Sequence, residues 1–458
     1  MQTIEDAAQR LSSLISGCKA DYVEARLEDS VSSYISFRGK KLETIGKSSS
    51  MGGSLRALVN GGWGFISFNS LDNFENRLKL VIEAASLAGT TPFHLSGTSN
   101  VVKSTSGTKT SNPVEIPLSH KKELIESYNA LLWKTPQIQT SVIGYSDSSK
   151  KSIFLNSGGS LISNERSDIT LNITAIASSG SEVQQSNMSI GSLGDFSAIL
   201  ELDEEIQAMS QRAVDLLSAP QAQGGEYTVV LDPILAGVFV HEAFGHLSEA
   251  DFLYENPQMQ ELMVLGKRFG RPELNIIDNA TISGLRGSYA YDDEGTPSGK
   301  TFLIKEGILT SRLHSLETAT KMGEAPTGNA RALSYRHAPI VRMSNTYIEP
   351  GKASFEEMIS DIKEGIYAKN WYGGTTSMEM FTFSAGEAYM IRHGKVEELI
   401  RPVVLTGNVF ETLMNIDAIG NDLEMNQGGG CGKGGQSPLP VSNGSPHIRI
   451  QNCLVGGK

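Results

Sequence analysis

The 458 residues predict an α+β chain of two domains, with antiparallel sheets and helices and a sheet-rich C-terminal domain that carries one unusual apolar helix. Three observations lead there. The length exceeds what one core holds at about 150 residues per domain. In the first half, stretches of helical spacing alternate with runs of period-two alternation, without the regular strand–helix repeat of a parallel sheet. In the second half, short apolar runs are punctuated by glycine as far as Gly457. A hydrophobic fraction of 39 % together with 47 glycines gives ordinary globular composition and excludes disorder as the main state.

Ile4, Ala7, Ala8, Leu11, Leu14 and Ile15 recur at intervals of three and four and predict a helix over 3–17. From Asp21 to Phe68 the pattern becomes alternating, as in Ser32–Phe37 and Leu55–Val59, and Asn60-Gly61-Gly62 marks a tight hairpin in a β-meander. Helical spacing returns over Leu71–Ala88. Residues 89–113, rich in Ser, Thr, Gly and Pro, predict a long loop. A helix over Leu118–Trp133 precedes strands at Gln139–Tyr145, Ser152–Leu155 and Asp168–Ala177, with Asn156–Gly159 as a turn. A long helix over Ser197–Ala219 ends at Pro220, and 221–225 forms a hinge, which divides the chain into 1–220 and 221–458.

Thirty-nine basic against fifty-one acidic residues leave a net charge of −12, and no dense basic stripe interleaved with aromatics interrupts it. Nucleic acid is therefore excluded as an expected partner. The weak cluster Arg38, Lys40, Lys41 reads as a solvated hairpin end. The apolar run Ile234–Val240 has far fewer than the ~20 residues that span a bilayer, and Glu5, Asp6 and Arg10 interrupt any signal-like start. Three widely spaced cysteines do not make a disulfide framework. A cytoplasmic protein without membrane contact is expected.

After strand 226–231, Asp232-Pro233 has the form of a helix start, Asp as cap and Pro in the first turn. The helix runs into His241-Glu242-Ala243-Phe244-Gly245-His246, two imidazoles bracketing a carboxylate in apolar surroundings. At ~100° per residue a spacing of five turns the second imidazole about 140° from the first, too far for both to meet one ion. A π-turn or a helix end would correct the angle, and Gly245 is the residue able to accommodate it. Two histidines and a glutamate in an apolar helix need stabilisation that a bound cation supplies. A tetrahedral zinc needs a third protein ligand, for which Glu249, Glu255 and the distant Cys431 are candidates. Cys431 stands among glycines in Gly428-Gly429-Gly430-Cys431-Gly432-Lys433-Gly434-Gly435-Gln436, where Lys433 is expected to favour the thiolate. The Gly-Lys pair there is not a phosphate loop, because Gln427 and Gly434 replace the required Gly and Ser/Thr.

His-Glu-x-x-x-His on a helix, followed near the C-terminus by Gly-x-Cys-Gly-Lys-x-Gly-Gln, resembles the TldD/PmbA family, and specifically its TldD-like metallopeptidase subunits. Gly62-Trp63-Gly64-Phe65, Tyr291-Asp292-Asp293-Glu294-Gly295-Thr296, Tyr372-Gly373-Gly374 and Val455-Gly456-Gly457 extend the resemblance over the whole chain. It implies a zinc ion held by His241, His246 and Cys431, with Glu242 as the catalytic residue and short or unfolded peptides as substrates. It also implies a homodimer or a heteromeric complex with a PmbA-like subunit. A DNA-associated modulatory role has been attached to the family by name, and the charge balance opposes it. A rival arrangement has Glu249 as a fourth ligand closing a purely structural site. Asp292, Asp293 and Glu294 read as a solvated turn or as substrate contacts, Tyr289 and Tyr291 as sheet residues or oxyanion donors. His314, His337, His393 and His447 read as ordinary histidines.

Overall fold

The computed structural model describes residues 3–95, 100–106 and 112–457. Helix α1 (Ile4–Ile15) starts at Thr3, whose hydroxyl accepts the Asp6 amide while the Asp6 carboxylate accepts the Thr3 amide. Its buried stripe, Ile4, Ala7, Ala8, Leu11 and Ile15, is the one the periodicity marks. Strands β1 (Tyr22–Arg38), β2 (Lys41–Val59) and β3 (Gly62–Phe68) form the expected meander. Asn60 and Gly61 both adopt positive φ, 47° and 81°, so the turn has the handedness that matches strand twist. Helix α2 (Phe74–Ala88) lies against this hairpin so closely that a Cβ on Gly62 would stand 2.1 Å from the Gly89 amide nitrogen.

The expected long loop is partly a strand: β4 (Val102–Ser106) runs parallel to a later strand, and positions 96–99 and 107–111 of that loop lie outside the described residues. After α3 (Leu118–Leu132) come β5 (Ile138–Asn156), β6 (Leu161–Ser179) and β7 (Glu182–Ser192). All seven strands join one sheet in the order β3-β2-β1-β5-β6-β4, with β7 also on β6. The helix expected over Ser197–Ala219 is shorter. A 3-10 turn at Phe196–Ile199 is cut off by Glu201, whose φ of 58° no helix accepts, and α4 spans only Asp203–Asp215.

Beyond 224 the chain builds two further large sheets and two small two-stranded ones. Strand β8 (Gly225–Leu231) pairs with Glu364–Ser377 in parallel and with Ile448–Gly457 antiparallel. Val403–Asn408 and Met380–Arg392 continue the row, and Met380–Arg392 also pairs with Glu364–Ser377, so five strands close into a ring, to which Lys395–Ile400 and Ile416–Ile419 are added on the outside of the path. A six-stranded sheet centred on Ile276–Asn279, Asn345–Ile348 and Ser442–Ser445 faces it. Helix α5 (Pro233–Val240) runs between ring and sheet, with Phe239 edge-on to Phe381 at 5.4 Å and Gly237 against Gly444. Leu235, Ala236, Phe239 and Val240 thereby join the largest buried cluster. No helix among the described residues is long and apolar enough to cross a membrane.

The acidic segment, read as a solvated turn or as substrate contacts, packs between the halves, with Asp292 and Glu294 buried and Asp293 half-buried. Arg56 of β2 meets Glu294 at 2.7 Å, and Arg26 of β1 meets Asp293 at 3.0 Å. Both arginines lie more than 200 residues earlier in the chain, so local composition could not announce the partners.

Candidate metal centre

Asp232 begins α5 as its sequence suggests: one carboxylate oxygen accepts the Leu235 amide at 2.8 Å and the Asn370 amide at 3.1 Å. Pro233 occupies the first turn, where no amide hydrogen is needed. The α-helix stops at Val240, and His241–Gly245 forms one π-turn, followed by a 3-10 turn at His246–Ser248. The wider turn rotates the five-residue spacing back into register, and the two imidazole centroids come to 5.3 Å. Gly245 packs tightly on its neighbour: a Cβ there would lie 2.0 Å from the Met343 sulfur, so the Met343 side chain would have to shift.

Cys431 arrives from the far end of the chain on a hairpin, Gly430–Lys433 paired with Gln436–Pro440. Gly434 and Gly435 make its turn with φ of 57° and 75°. The loop is anchored, not a free linker: the buried Arg342 guanidinium donates to the Cys431 carbonyl at 2.7 Å and to that of Gln436 at 3.2 Å. Arg286 donates to the carbonyls of Gln427 and Gly429, and β7 backs the glycines through Ser189, which bonds the Gly428 carbonyl.

Donor atoms of His241, His246 and Cys431 lie within 4.8 Å of one another, and Cys431 Sγ stands 3.4 Å from His246 Nε2. Burial works against the Cys431 thiolate, yet hydrogen bonds and charge from His241 and His246 pull the thiol down to about 5. The converse holds for His246, which burial disfavours but Glu249 and Cys431 raise to about 11. Cys453, with no such neighbours, is pushed by burial up to about 12 and is an inert core thiol. His241 Nδ1 is buried without a hydrogen-bond partner. Two imidazoles and a thiolate whose donor atoms converge within 4.8 Å fit a soft or borderline divalent cation.

Glu242 is 32 % exposed and reaches to 3.8 Å from His246 Nε2. The other carboxylates considered as donors are elsewhere. Glu255 is exposed after the helix Ala250–Tyr254. Glu249, 1 % exposed, turns one oxygen to His246 Nδ1 at 2.9 Å and to Lys433 Nζ at 3.0 Å. Lys433 also bonds Asp251 at 2.6 Å, so it acts on Glu249 and Asp251, and the two histidines account for the thiolate. The spacing of Glu249 from His246 could have suggested this contact only to a reader who already knew that the helix breaks between them.

Among the remaining polar residues, the Tyr289 hydroxyl is spent on the Gly328 carbonyl. Tyr291 lines a cleft of about 570 Å³ between the halves with Arg166, Lys103, Thr281 and Ser298, and none of the three donors lines it. Asp292 accepts the amides of Glu294, Thr296 and Ala330, which makes it a loop organiser. His314 pairs with Glu324 and His447 with Asp422, both structural contacts.

Models of the PmbA/TldA metallopeptidase family match in three stretches, domain 1 at residues 23–88, the central domain at 111–219 and the C-terminal domain at 224–457. The strands of the first two share the single N-terminal sheet. A metalloprotease from Synechocystis sp. is 48 % identical over 96 % of this chain and 95 % of its own. A protein named zinc metalloprotease TldD homolog, from Saccharolobus solfataricus, is 35 % identical over 70 % and 72 %. Crystal structures of a Thermotoga maritima protein and of TldE from Thermococcus kodakarensis superpose with TM-scores of 0.78 and 0.75 at 20 % and 18 % identity. They cover 99 % and 98 % of this chain and all of their own, which establishes the fold. By its matched domains and its full-length relatives, this chain belongs to the PmbA/TldD family of metallopeptidases.

Proposed function

We propose that the chain is a zinc-dependent peptidase that cleaves short or unfolded peptides, with His241, His246 and Cys431 as metal ligands and Glu242 as general base. The observation that carries this is the convergence of the three donors beside a solvent-reaching carboxylate. Zinc in this donor set would lower the pKa of a water and polarise the scissile carbonyl. Glu242, the residue next to one ligand, would take the proton of that water and pass it to the leaving amine. Thiolate donation lowers the charge on the metal, which puts more of the work on Glu242. The rival, closed site is disfavoured because Glu249 is not among the donors that converge and turns one oxygen to His246 Nδ1 and Lys433. Broad side-chain tolerance follows if substrates pair through their backbone, as an extended peptide does along a strand edge. A cytoplasmic setting and action as a homodimer or with a PmbA-like subunit complete the reading.

The decisive test combines metal content with cleavage. Wild-type protein is expected to hold about one zinc per chain, and Cys431→Ser to lose it. Glu242→Gln is expected to keep zinc while cleavage of an unstructured peptide falls at least ~10²-fold. Substantial cleavage by Glu242→Gln, or a wild type that refuses zinc, would overturn the proposal.

A further inference from the structure

Glu249 lies between the two sequence motifs, and its chemistry is not absorbed by the roles above. Its carboxylate is almost fully buried, a costly position unless it is paired. One oxygen faces His246 Nδ1 at 2.9 Å and Lys433 Nζ at 3.0 Å; the other is buried with no partner. An ionised carboxylate only accepts hydrogen bonds, so the contact fixes the proton of His246 on Nδ1. Nε2, which faces Cys431 Sγ at 3.4 Å, is then the nitrogen left to give its lone pair to a cation once its own proton is displaced. Lys433 follows Cys431 by two residues on the hairpin, whereas Glu249 follows His246 by three on the other motif. The ion pair therefore joins the polypeptide that carries the imidazoles to the polypeptide that carries the thiolate. Lys433 is held in turn by Asp251 and by the Val341 carbonyl, so the bridge is anchored on three sides.

We infer that Glu249 is a positioning residue for the metal centre: it sets the His246 tautomer and, through Lys433, clamps the Cys431 hairpin onto the histidine turn before any cation arrives. The inference rests on the metal-centre reading above. Carboxylates that orient a ligating imidazole commonly account for 10–100-fold in metal affinity. An acceptor of the same length preserves the tautomer without the charge, so the conservative variant separates positioning from packing.

The experiment measures zinc affinity by chelator competition and the Co²⁺ absorption spectrum for wild type, Glu249→Gln, Glu249→Leu and Lys433→Met. Apo-protein circular dichroism verifies folding. Glu249→Leu is expected to lose about 100-fold in affinity with an altered cobalt spectrum. Glu249→Gln should recover most of that loss with a near-native spectrum, and Lys433→Met should lose about 10-fold. If Glu249→Leu does not fold, Glu249→Gln and Lys433→Met decide the matter. Wild-type affinity in Lys433→Met, or equal losses in folded Gln and Leu variants, overturns the inference. A wild type that binds neither metal overturns the metal-centre reading and this inference with it, whereas a metal-binding wild type matched by Glu249→Leu overturns only the inference.

Discussion

Gly245 stands where an added Cβ would force the Met343 side chain to move. Its position beside His246 places the Met343 sulfur where a Cβ would be, and Met343 is fully buried, so it has little room to withdraw. Gly245→Ala is expected to cost about 1–3 kcal/mol by overpacking and to unsettle the π-turn that brings the imidazoles together. Met343→Ala in the same chain should return part of both losses, because the clash is removed even though a cavity appears. Thermal denaturation and zinc stoichiometry of the single and double variants test this, and additive losses would refute the contact as the cause. The need for a π-turn or helix end at Gly245 was legible in the five-residue spacing alone. The use of Glu249 was not, because it depends on how the backbone leaves that turn.

At the scale of elements, α5 begins on an unusually placed charge. Asp232 is buried, which raises its carboxyl from the ordinary 3.8 to about 6 although the Leu235 and Asn370 amides favour the anion. A carboxyl whose folded value is raised binds its proton more tightly in the folded state. Its contribution is therefore most favourable below pH 4 and is lost as pH rises through about 6. Both amide contacts fall on one oxygen, which the side-chain carbonyl of asparagine can reproduce. Asp232→Asn should match wild type near pH 4 and exceed it by up to about 3 kcal/mol above pH 7. Urea denaturation at the two pH values checks the sign, and a variant less stable at pH 8 would contradict it.

Element boundaries show the same division between local and distant causes. α1, α2, α3 and the Asn60-Gly61 turn fall near where periodicity and turn chemistry put them, because their causes are local. β1, β2, β5 and β6 run 17 to 19 residues, far beyond the alternating runs that mark them. Their serine- and lysine-rich middles, such as Ser48–Ser50 and Lys150–Lys151, lack an apolar face and are strands only because neighbouring strands pair with them. Glu201 likewise ends a helical pattern through a backbone angle that composition does not encode.

The whole molecule is joined by ion pairs between the N-terminal sheet and the acidic segment 292–294. Arg56 is buried, stacked 3.6 Å from the Trp63 ring centre, and shared by Glu24 at 3.1 Å and Glu294 at 2.7 Å. Glu294 uses its other oxygen to accept the Leu316 amide at 2.8 Å, so the arginine also steadies the start of the helix Leu316–Met322. Burial and the Glu294 charge raise Glu24 to about 7 even against the Arg56 guanidinium. Arg56→Met should leave two carboxylates facing each other and cost about 3–5 kcal/mol at pH 8, the range for breaking a buried pair. Without the arginine the Glu24 value rises further, and a raised carboxyl stabilises the folded state only while it is protonated. The deficit should therefore shrink as pH falls from 8 to 5.5, and Glu24→Gln added to Arg56→Met should recover much of it at pH 8. Denaturation curves over that range carry the test. A deficit independent of pH would mean that lost packing on Trp63, not uncompensated charge, is what Arg56 prevents.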